Sequence, residues 1–400
     1  MAQVLLEREV SDLPAGKPAL VYHEDYQKYD FGSGHALREV RGKLARDLIE
    51  SLGLLRAAEE KQPSSAGEDA ILSVHERKYV TVVKRLSANP KVGEPDFGLE
   101  PGDNPPFAGM YEAAALQVGG TLLACDLVAR GQATRAYNLG GGFHHAMPAR
   151  ASGFCVFNDV AIGVRHLLER RIRRILYVDI DAHHGDGVQA AFYRDPRVLT
   201  ISLHEDPRFL FPGTGTVDEI GEGDGKGYAV NVPLPPHTRD EGWTRAFDAI
   251  VLPLAEAYRP EVLVTQTGAD AHTDDPLAHL DLTTESYEHA GARFDTLART
   301  LCRDRWVATC GGGYDVTAVP RVWTLLFAAM VRRRPTDTLP ERWREECRRL
   351  VRAEPRDGTL RDPPVPPEGG RISRELERTI EQVRARVFPF HGLDPGTPHF

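Results

Sequence analysis

Short apolar segments of strand length recur along the whole chain, and this repetition limits what the chain can fold into. Each segment is rich in Val, Ile, Leu or Ala and has few alternating polar residues, as expected for strands buried on both faces of a parallel sheet. Segments with helical spacing separate them, so strand and helix alternate as in α/β proteins. The predicted strands are ALVYH (19–23), AYNL (136–139), ILYVDI (175–180), VLTISL (198–203), VLVTQT (262–267) and WVATC (306–310).

Helical periodicity predicts amphipathic helices between these strands and after the last one. Their apolar positions or ranges are Leu37, Val40, Leu44 and Leu48; Val160, Val164, Leu167 and Leu168; 241–258; 284–303; and 371–388. The last helix has one apolar face, so we expect it to dock on the domain. We predict a single domain over residues 1–400, with a core at about 19–330 and a helical extension at about 338–390 packed on it. The segment RDPPVPPEGG (361–370) reads as a linker or surface loop.

Composition excludes several classes of protein. The net charge of -9 argues against a general affinity for nucleic acid or anionic membranes. Five cysteines, odd in number and without C-x-x-C spacing, favour a reducing cytoplasm over a disulfide framework or a cysteine zinc site. We find no apolar stretch near the roughly 20 residues that cross a bilayer. The acidic start, residues 1–12, does not resemble a signal peptide.

Chemically reactive side chains are concentrated directly after the predicted strands. In an open parallel sheet the carboxyl ends of the strands form the ligand crevice, so these turns should carry the function. Glycines in four of them would let the backbone approach a ligand closely. The segments are GGGFHHAMP (140–148), DIDAHHGDG (179–187), His204, GADAH (268–272) and GGGYD (311–315).

Asp181, His183 and Asp270 form a candidate metal site. Asp181 and His183 are two residues apart, so in an extended segment their side chains point to the same side. With Asp270 they would leave a fourth position open for water, as in catalytic zinc sites. Fe²⁺, Mn²⁺ and Co²⁺ remain alternatives to Zn²⁺. The competing interpretation, in which the aspartates only cap following elements, is less favoured because five strand ends agree.

Two adjacent histidines, His144 and His145, are candidates for acid–base chemistry. Asp179 and Asp186 are possible partners that would fix the tautomer of each ring and raise its basicity. Paired histidines beside a metal suit amide hydrolysis, which needs a base for water and an acid for the leaving amine. Tyr314, on its glycine turn, could donate a hydrogen bond to a developing oxyanion. Taken alone, each of these residues is more commonly part of a core or surface.

Six ordered motifs resemble the zinc-dependent histone deacetylase superfamily, from about Val21 to about Leu326. They are GGFHHA (141–146), ASGFCVFND (151–159), DIDAHHGDG (179–187), FPGTG (211–215), GAD (268–270) and GGGY (311–314). Within the superfamily the chain is most similar to the bacterial acetoin-utilization (AcuC-type) branch. The segments that carry this similarity are YDFGSGHALREVR (29–41), TGADAHTDDPLAHLDLT (267–283) and GGGYDVTAVPRVWTLL (311–326).

The resemblance implies a single arginase/deacetylase-type α/β domain, with a central, mostly parallel sheet flanked by helices and a tunnel for an acylated lysine. The implied activity is metal-dependent hydrolysis of Nε-acetyl-lysine in proteins, with release of acetate. The implied metal ligands are Asp181, His183 and Asp270. His145 would be the main general base and acid, oriented by Asp186, while His144 pairs with Asp179. Tyr314 would polarise the acyl carbonyl.

The resemblance also implies substrate and cation contacts. The tunnel walls would be Gly153, Phe154, Phe211 and Leu277. Asp103 would be a rim residue that binds the peptide backbone. A structural potassium ion would lie at Asp179, Asp181, His183 and Ser202. A second would lie near Phe192, Asp195, Val198 and Tyr228.

The identity of the substrate stays open at this point. The resemblance implies acetylated proteins as partners, and the AcuC-type branch is associated with acetyl-coenzyme A synthetase. Relatives that prefer polyamines carry an acidic residue at the tunnel mouth where this chain has Leu277, which disfavours a small cationic substrate. His272, Asp274 and Asp275 lie nearby in sequence and leave a charged rim open. A small-molecule amidohydrolase acting on acetylpolyamine-like amides is therefore the alternative, and the oligomeric state is not predicted.

Overall fold

The computed structural model describes residues 16–91, 93–355 and 357–396, so the acidic start of the chain lies outside the described residues. One eight-stranded sheet forms the centre, in the order β2-β1-β3-β8-β7-β4-β5-β6. All of its described strand pairs are parallel, which confirms the predicted sheet. The strands are β1 (Ala19–Val21), β2 (Glu59–Lys61), β3 (Arg135–Asn138), β4 (Ile175–Asp179), β5 (Val198–Glu205), β6 (Ala229–Leu234), β7 (Val262–Gln266) and β8 (Trp306–Thr309).

The two strands that we did not predict are the two edges of the sheet. β2 has the sequence EEK and is largely exposed, so it gives no apolar signal. β6 has the sequence AVNVPL, in which Asn231 and Pro233 interrupt the apolar pattern. Proline has no N–H to donate to a neighbouring strand and is therefore tolerated at a sheet edge.

Eleven α-helices are present among the described residues, and they surround the sheet. They are α1 (Val40–Ser51), α2 (Glu68–Ile71), α3 (Arg77–Ala88), α4 (Met110–Ala129), α5 (Asp159–Glu169), α6 (Asp186–Phe192), α7 (Asp240–Tyr258), α8 (Thr284–Leu301), α9 (Ala318–Met330), α10 (Glu341–Val351) and α11 (Gly370–Val387). The five predicted helices correspond to α1, α5, α7, α8 and α11.

Helix α4 corrects our expectation that no apolar stretch is long enough to cross a membrane. By length and composition it is long enough, but 72% of its most apolar window is buried inside the protein. It packs against α5 and β3 as a core helix. Polar residues such as Gln117 interrupt its apolar run, and they hid its length in the sequence.

Alternate side chains of the central strands pack into two different layers, as strand geometry requires. Leu176 and Val178 of β4 belong to the core shared with α7, α8, α9 and α11. Ile175 and Tyr177 of the same strand belong to the core formed with α4, α5 and α6. The layers leave the carboxyl ends of the strands open at one edge, where the loops can converge.

The C-terminal helices pack on this core. Helix α11 buries Leu376, Ile380 and Val383 against the layer that contains α7. Helix α10 packs against α1 through Trp343, whose indole N–H donates to the Leu44 carbonyl at 2.8 Å.

Candidate active site

The strand register brings the predicted functional loops to one edge of the sheet. Asp179 at the end of β4 pairs with Ser202 of β5 on one side and with Gln266 of β7 on the other. Gln266 in turn pairs with Thr309 of β8, which pairs with Asn138 of β3. The loops after β3, β4, β7 and β8 therefore leave the sheet at the same level and meet above it.

Asp181, His183 and Asp270 come together as the sequence predicts. One ligand atom from each lies within 4.8 Å of the others, and all three side chains are buried. The Nδ1 atom of His183 is 3.1 Å from Asp181 Oδ1 and 2.9 Å from Asp270 Oδ2. Among the described residues this is the cluster of carboxylates and imidazoles suited to hold a metal ion.

Hydrogen bonds from neighbouring loops hold both carboxylates in place, and each keeps one oxygen close to His183 Nδ1. Asp181 Oδ2 accepts hydrogen bonds from the Gln266 side-chain amide at 2.7 Å and from the Gly312 N–H at 2.8 Å. Asp270 Oδ1 accepts the Ala182 N–H at 2.7 Å. Fixed outer contacts of this kind orient metal ligands in many proteins.

Charge also favours a cation at this position. Burial and the neighbouring Asp181 carboxylate raise the pKa of Asp270 above its usual value. Two carboxylates this close, out of contact with water, need a compensating positive charge. The set of two carboxylates and one imidazole thus fits a divalent cation by chemistry as well as by geometry.

Two glycines are required for the loops to lie on these carboxylates. A Cβ atom on Gly268 would lie 2.0 Å from Asp181 Oδ2, and one on Gly312 would lie 2.0 Å from Asp270 Oδ2. No side chain fits at such distances, so the glycines of the GAD and GGGY motifs allow a close approach of the backbone.

His144 and His145 each contact one of the expected aspartates. His144 Nδ1 is 2.8 Å from Asp179 Oδ2, and His145 Nδ1 is 2.7 Å from Asp186 Oδ1. The two Nε2 atoms face each other at 3.0 Å. Each ring therefore has one nitrogen held by a carboxylate and the other directed into the site.

The two histidines differ in basicity. Burial alone would lower the pKa of His144, but Asp179 and Asp181 raise it to about 9. Burial and the neighbouring His144 lower the pKa of His145 to about 4, although Asp186 opposes this shift. At neutral pH the pair therefore combines a charged imidazole with a neutral one that can accept a proton.

The loop that carries both histidines is held by residues that we did not predict. The Asn158 side-chain amide donates to the carbonyls of His144 and Ala146 at 3.0 and 3.1 Å. Its Oδ1 caps α5, and its N–H donates to His75 Nε2 at 2.9 Å. The sequence signal was present, since Asn before an apolar helical run is a typical N-cap.

Tyr314 lies beside the candidate metal site. Its ring centre is 6.5 Å from that of His183 and 5.6 Å from that of Phe154. The Tyr314 N–H donates to Asp275 Oδ2 at 2.7 Å. Burial and the nearby Asp270 raise the pKa of the Tyr314 phenol well above its ordinary value, so the hydroxyl remains a hydrogen-bond donor.

A narrow pocket of about 20 Å³ lies among these groups. It is lined by His145, Gly153, Phe154 and Tyr314, and also by Arg41 and Trp323. Arg41 is buried, lies 5.9 Å from the Tyr314 ring centre and donates to the Gly313 carbonyl. Glu39 also lines the pocket, and burial raises its pKa to about 7. Both residues lie in the segment 29–41 that carries the AcuC-type similarity, but nothing in the sequence indicated that they line the site.

Phe211 packs beside His145, with the two ring centres 5.0 Å apart. A Cβ atom on Gly153 would lie 2.4 Å from the His145 ring and 2.8 Å from that of Phe211, so this side of the site is close-packed. Phe211 and Leu277 are both exposed hydrophobic side chains. Asp103 lies in an exposed loop, where its carbonyl contacts His35 Nε2 at 3.3 Å.

The sequence left open a charged rim formed by His272, Asp274 and Asp275, but of these three side chains the structure exposes Asp274 alone. His272 is 1% exposed and Asp275 is also buried, because both form hydrogen bonds inside the protein. Asp274 keeps 38% of its side chain exposed. The physical reason is that the loop folds back on itself, with the Asp275 N–H donating to the His272 carbonyl at 2.8 Å.

The residues assigned to structural cations have protein partners of their own. The hydroxyl of Ser202 is 2.8 Å from His204 Nδ1, and the Asp181 N–H donates to Asp179 Oδ1 at 3.1 Å. In the second set, the Asp195 carboxylate binds Arg197, and the Tyr228 carbonyl accepts the Thr200 N–H at 2.9 Å.

The fold and the site together define an α/β protein with a parallel sheet, a buried candidate metal centre and two histidine–aspartate pairs. Residues 35–330 match the histone deacetylase domain model, and the chain therefore belongs to the histone deacetylase family. Membership places it among the metal-dependent deacetylases and accounts for the arginase/deacetylase-type sheet.

Relatives and solved structures agree with this assignment. The acetoin utilization protein AcuC of Bacillus subtilis (strain 168) is 40% identical over 353 residues, which cover 86% of this chain and 91% of that protein. AcuC of Staphylococcus aureus (strain MRSA252) is 38% identical over 319 residues, 79% of this chain and 82% of that protein. The crystal structure of an HDAC homologue complexed with SAHA has a TM-score of 0.82 at 30% identity, and the match covers 92% of this chain and 99% of that one. An HDAC homologue from Aquifex aeolicus has a TM-score of 0.81, also at 30% identity, with the same coverage.

Proposed function

We propose that the protein hydrolyses Nε-acetyl-lysine in proteins and releases acetate. The observation that carries this proposal is that two aromatic rings, those of Phe154 and Phe211, flank the buried acid–base pair, the candidate metal site and Tyr314. The butyl stem of lysine is apolar and suits a sleeve formed by Gly153, Phe154, Phe211 and Leu277. The acetyl group at its end would reach the depth of His145 and Tyr314.

Zn²⁺ is the proposed cofactor, held by Asp181, His183 and Asp270, with Fe²⁺ or another divalent ion as the alternative. When bound, such an ion supplies a Lewis acid that activates water and polarises the acyl carbonyl. The donor set described above supports this proposal. A structural K⁺ near Asp179 and Ser202 remains a proposal from the resemblance.

Each catalytic side chain has a defined task in this proposal. His145 is neutral and accepts the proton of the attacking water at Nε2, while Asp186 holds its Nδ1–H. The same Nε2–H then protonates the departing lysine amine, because one residue can act as base and then as acid. His144, charged and paired with Asp179, contributes positive charge beside it. The Tyr314 hydroxyl donates a hydrogen bond to the oxygen that becomes negative.

The proposed partners are acetylated proteins, with acetyl-coenzyme A synthetase as a candidate substrate by analogy with the AcuC-type branch. Leu277 at the mouth provides no carboxylate for a polyamine. The acidic net charge supports neither nucleic acid nor a membrane as a partner. All five cysteines are free and buried, which is compatible with the proposed cytoplasmic location.

The test compares an acetyl-lysine peptide with acetylputrescine, using Zn²⁺-loaded protein and acetate release as the readout. We expect turnover of the peptide, and its loss in Asp181→Ala and His145→Ala. His237→Ala is the matched control, because this histidine is 63% exposed and should leave turnover unchanged. Turnover of acetylputrescine alone would refute the proposal in favour of a small-molecule amidohydrolase.

A further inference from the structure

A single carboxylate from the C-terminal extension joins three elements of the catalytic domain. Asp362 lies in the segment that reads as a linker and outside residues 35–330, which match the deacetylase domain. Its Oδ2 is 2.9 Å from His272 Nε2 and accepts the Thr284 N–H of α8 at 3.0 Å. Its Oδ1 accepts Arg321 Nη1 of α9 at 2.7 Å.

This junction is built inside the protein and is not a surface ion pair. The side chains of His272, Arg321 and Asp362 are 1%, 5% and 17% exposed. Burial would raise the pKa of Asp362, but hydrogen bonds from His272 and Arg321 hold it well below its usual range. The carboxylate is therefore charged at neutral pH, and its donors come from three different elements.

The His272 contact has a defined direction. His272 Nδ1 accepts the Asp274 N–H at 3.1 Å, so the hydrogen of the neutral ring is on Nε2 and points to Asp362. The His272 imidazole thus links the C-terminal segment to the loop after β7, with one hydrogen bond to Asp362 and one to Asp274. Loss of the Asp362 carboxylate would leave a buried donor without its acceptor, which is costly.

A chain of hydrogen bonds continues from His272 to Tyr314. The His272 carbonyl accepts the Asp275 N–H at 2.8 Å, and Asp275 Oδ2 accepts the Tyr314 N–H at 2.7 Å. Asp275 Oδ1 also accepts the Leu277 N–H at 2.9 Å, so the same carboxylate holds the backbone at Leu277. Arg321 approaches from the other side, in the helix that begins four residues after Tyr314.

We propose that Asp362 is a positioning residue for Tyr314, acting through His272 and the loop that contains Asp275. The C-terminal extension then has a role in catalysis, since it fixes the loops after β7 and β8 relative to each other. Small displacements of a group that stabilises a transition state lower turnover more than they weaken substrate binding.

The first experiment measures steady-state kinetics of Zn²⁺-loaded, full-length variants on an acetyl-lysine peptide. Asp362→Ala and His272→Ala should each lower kcat by about 10-fold and change KM by less than about 2-fold. His272→Gln keeps a donor near the position of Nε2 and should recover most of the lost kcat. The double variant should be no slower than Asp362→Ala, because loss of the Asp362 carboxylate already breaks its contact with His272.

Glu354→Ala is the matched control. Glu354 also belongs to the C-terminal extension and binds Arg344 and Arg348 through its carboxylate, away from Asp362 and the loop after β7. It should leave kcat within about 2-fold of the unchanged protein. An equal loss in Glu354→Ala would overturn the proposal, because the effect would then follow from general disturbance of the extension.

Hydrogen exchange supplies a readout that does not depend on activity. Asp362→Ala should speed amide exchange in residues 271–283 and 311–316 and leave α4 unchanged. Unchanged exchange in both segments, or an equal rise throughout the protein, would refute the positioning role. This inference rests on the proposed function for its kinetic test only. If the unchanged protein does not cleave the peptide, the proposed function fails, and the exchange result alone decides the role of Asp362.

Discussion

His75 should make the protein sensitive to mild acid, although it lies outside the catalytic pairs. Its ring is 3% exposed, with Nδ1 3.0 Å from the Met147 carbonyl and Nε2 accepting the Asn158 N–H at 2.9 Å. Both nitrogens are thus used by a neutral ring, which has one N–H and one acceptor. Protonation of His75 at Nε2 would direct its new N–H at the Asn158 N–H, so that two donors would face each other.

The size of the effect follows from the pKa of His75. Burial lowers it from 6.5 to about 4 in the folded protein. The unfolded chain then binds more protons between these values, so stability is lost as the pH falls from 6.5 towards 4. Preferential proton binding by the unfolded form of this one imidazole lowers the free energy of unfolding by about 2 kcal/mol at pH 5 and hardly at all at pH 7.

The assay is urea unfolding of the unchanged protein and of His75→Gln at pH 7, 6 and 5, with the same free zinc concentration. His75→Gln should be less stable at pH 7, because it disturbs the Asn158 contact. Its deficit should shrink by about 2 kcal/mol at pH 5, because the variant has no imidazole to protonate there. If the two proteins lose stability in parallel from pH 7 to pH 5, His75 does not titrate as its surroundings indicate.

Three further predictions concern the site and its support. Tyr314→Phe should lower kcat on an acetyl-lysine peptide by about 10² to 10³-fold, with little change in KM, because one oxyanion donor is lost. Gly312→Ala should weaken Zn²⁺ binding in a chelator competition, because its Cβ would lie 2.0 Å from Asp270 Oδ2. Asp304→Ala should lower the free energy of unfolding by about 1 to 3 kcal/mol in urea, because the buried Arg135 guanidinium loses one of its two carboxylate partners and keeps Asp295.

The central sheet could be predicted from the sequence because its strands are buried on both faces. A strand such as β4 (ILYVD) gives a continuous apolar signal. The edge strand β2 (EEK) gives none, because its pairing with β1 depends on backbone contacts and not on side chains. Edge strands are thus set by tertiary packing, which a local pattern does not contain.

The site could be predicted where the chemistry is clustered along the chain, and not where it is assembled by the fold. Asp181 and His183 are separated by one residue, and parallel strand ends explain why Asp270 joins them. Arg41 comes from a helix far away in sequence, and Asp362 comes from a proline-rich segment that resembles a linker. Single polar residues of this kind become informative only when the structure shows that they are buried and what they contact.

The adjacent histidines show how one motif acquires two different properties. Both rings are buried, and each contacts one aspartate at nearly the same distance, 2.8 and 2.7 Å. The difference in pKa between the two histidines arises from their next neighbours. His144 Nε2 is also 3.9 Å from Asp181, whereas the ring of His145 faces the aromatic ring of Phe211. A second carboxylate raises the basicity of the first imidazole, and an apolar wall together with that charged neighbour lowers the basicity of the second. A protein can therefore obtain a charged group and a neutral base from identical side chains, because surroundings decide pKa more strongly than residue type does.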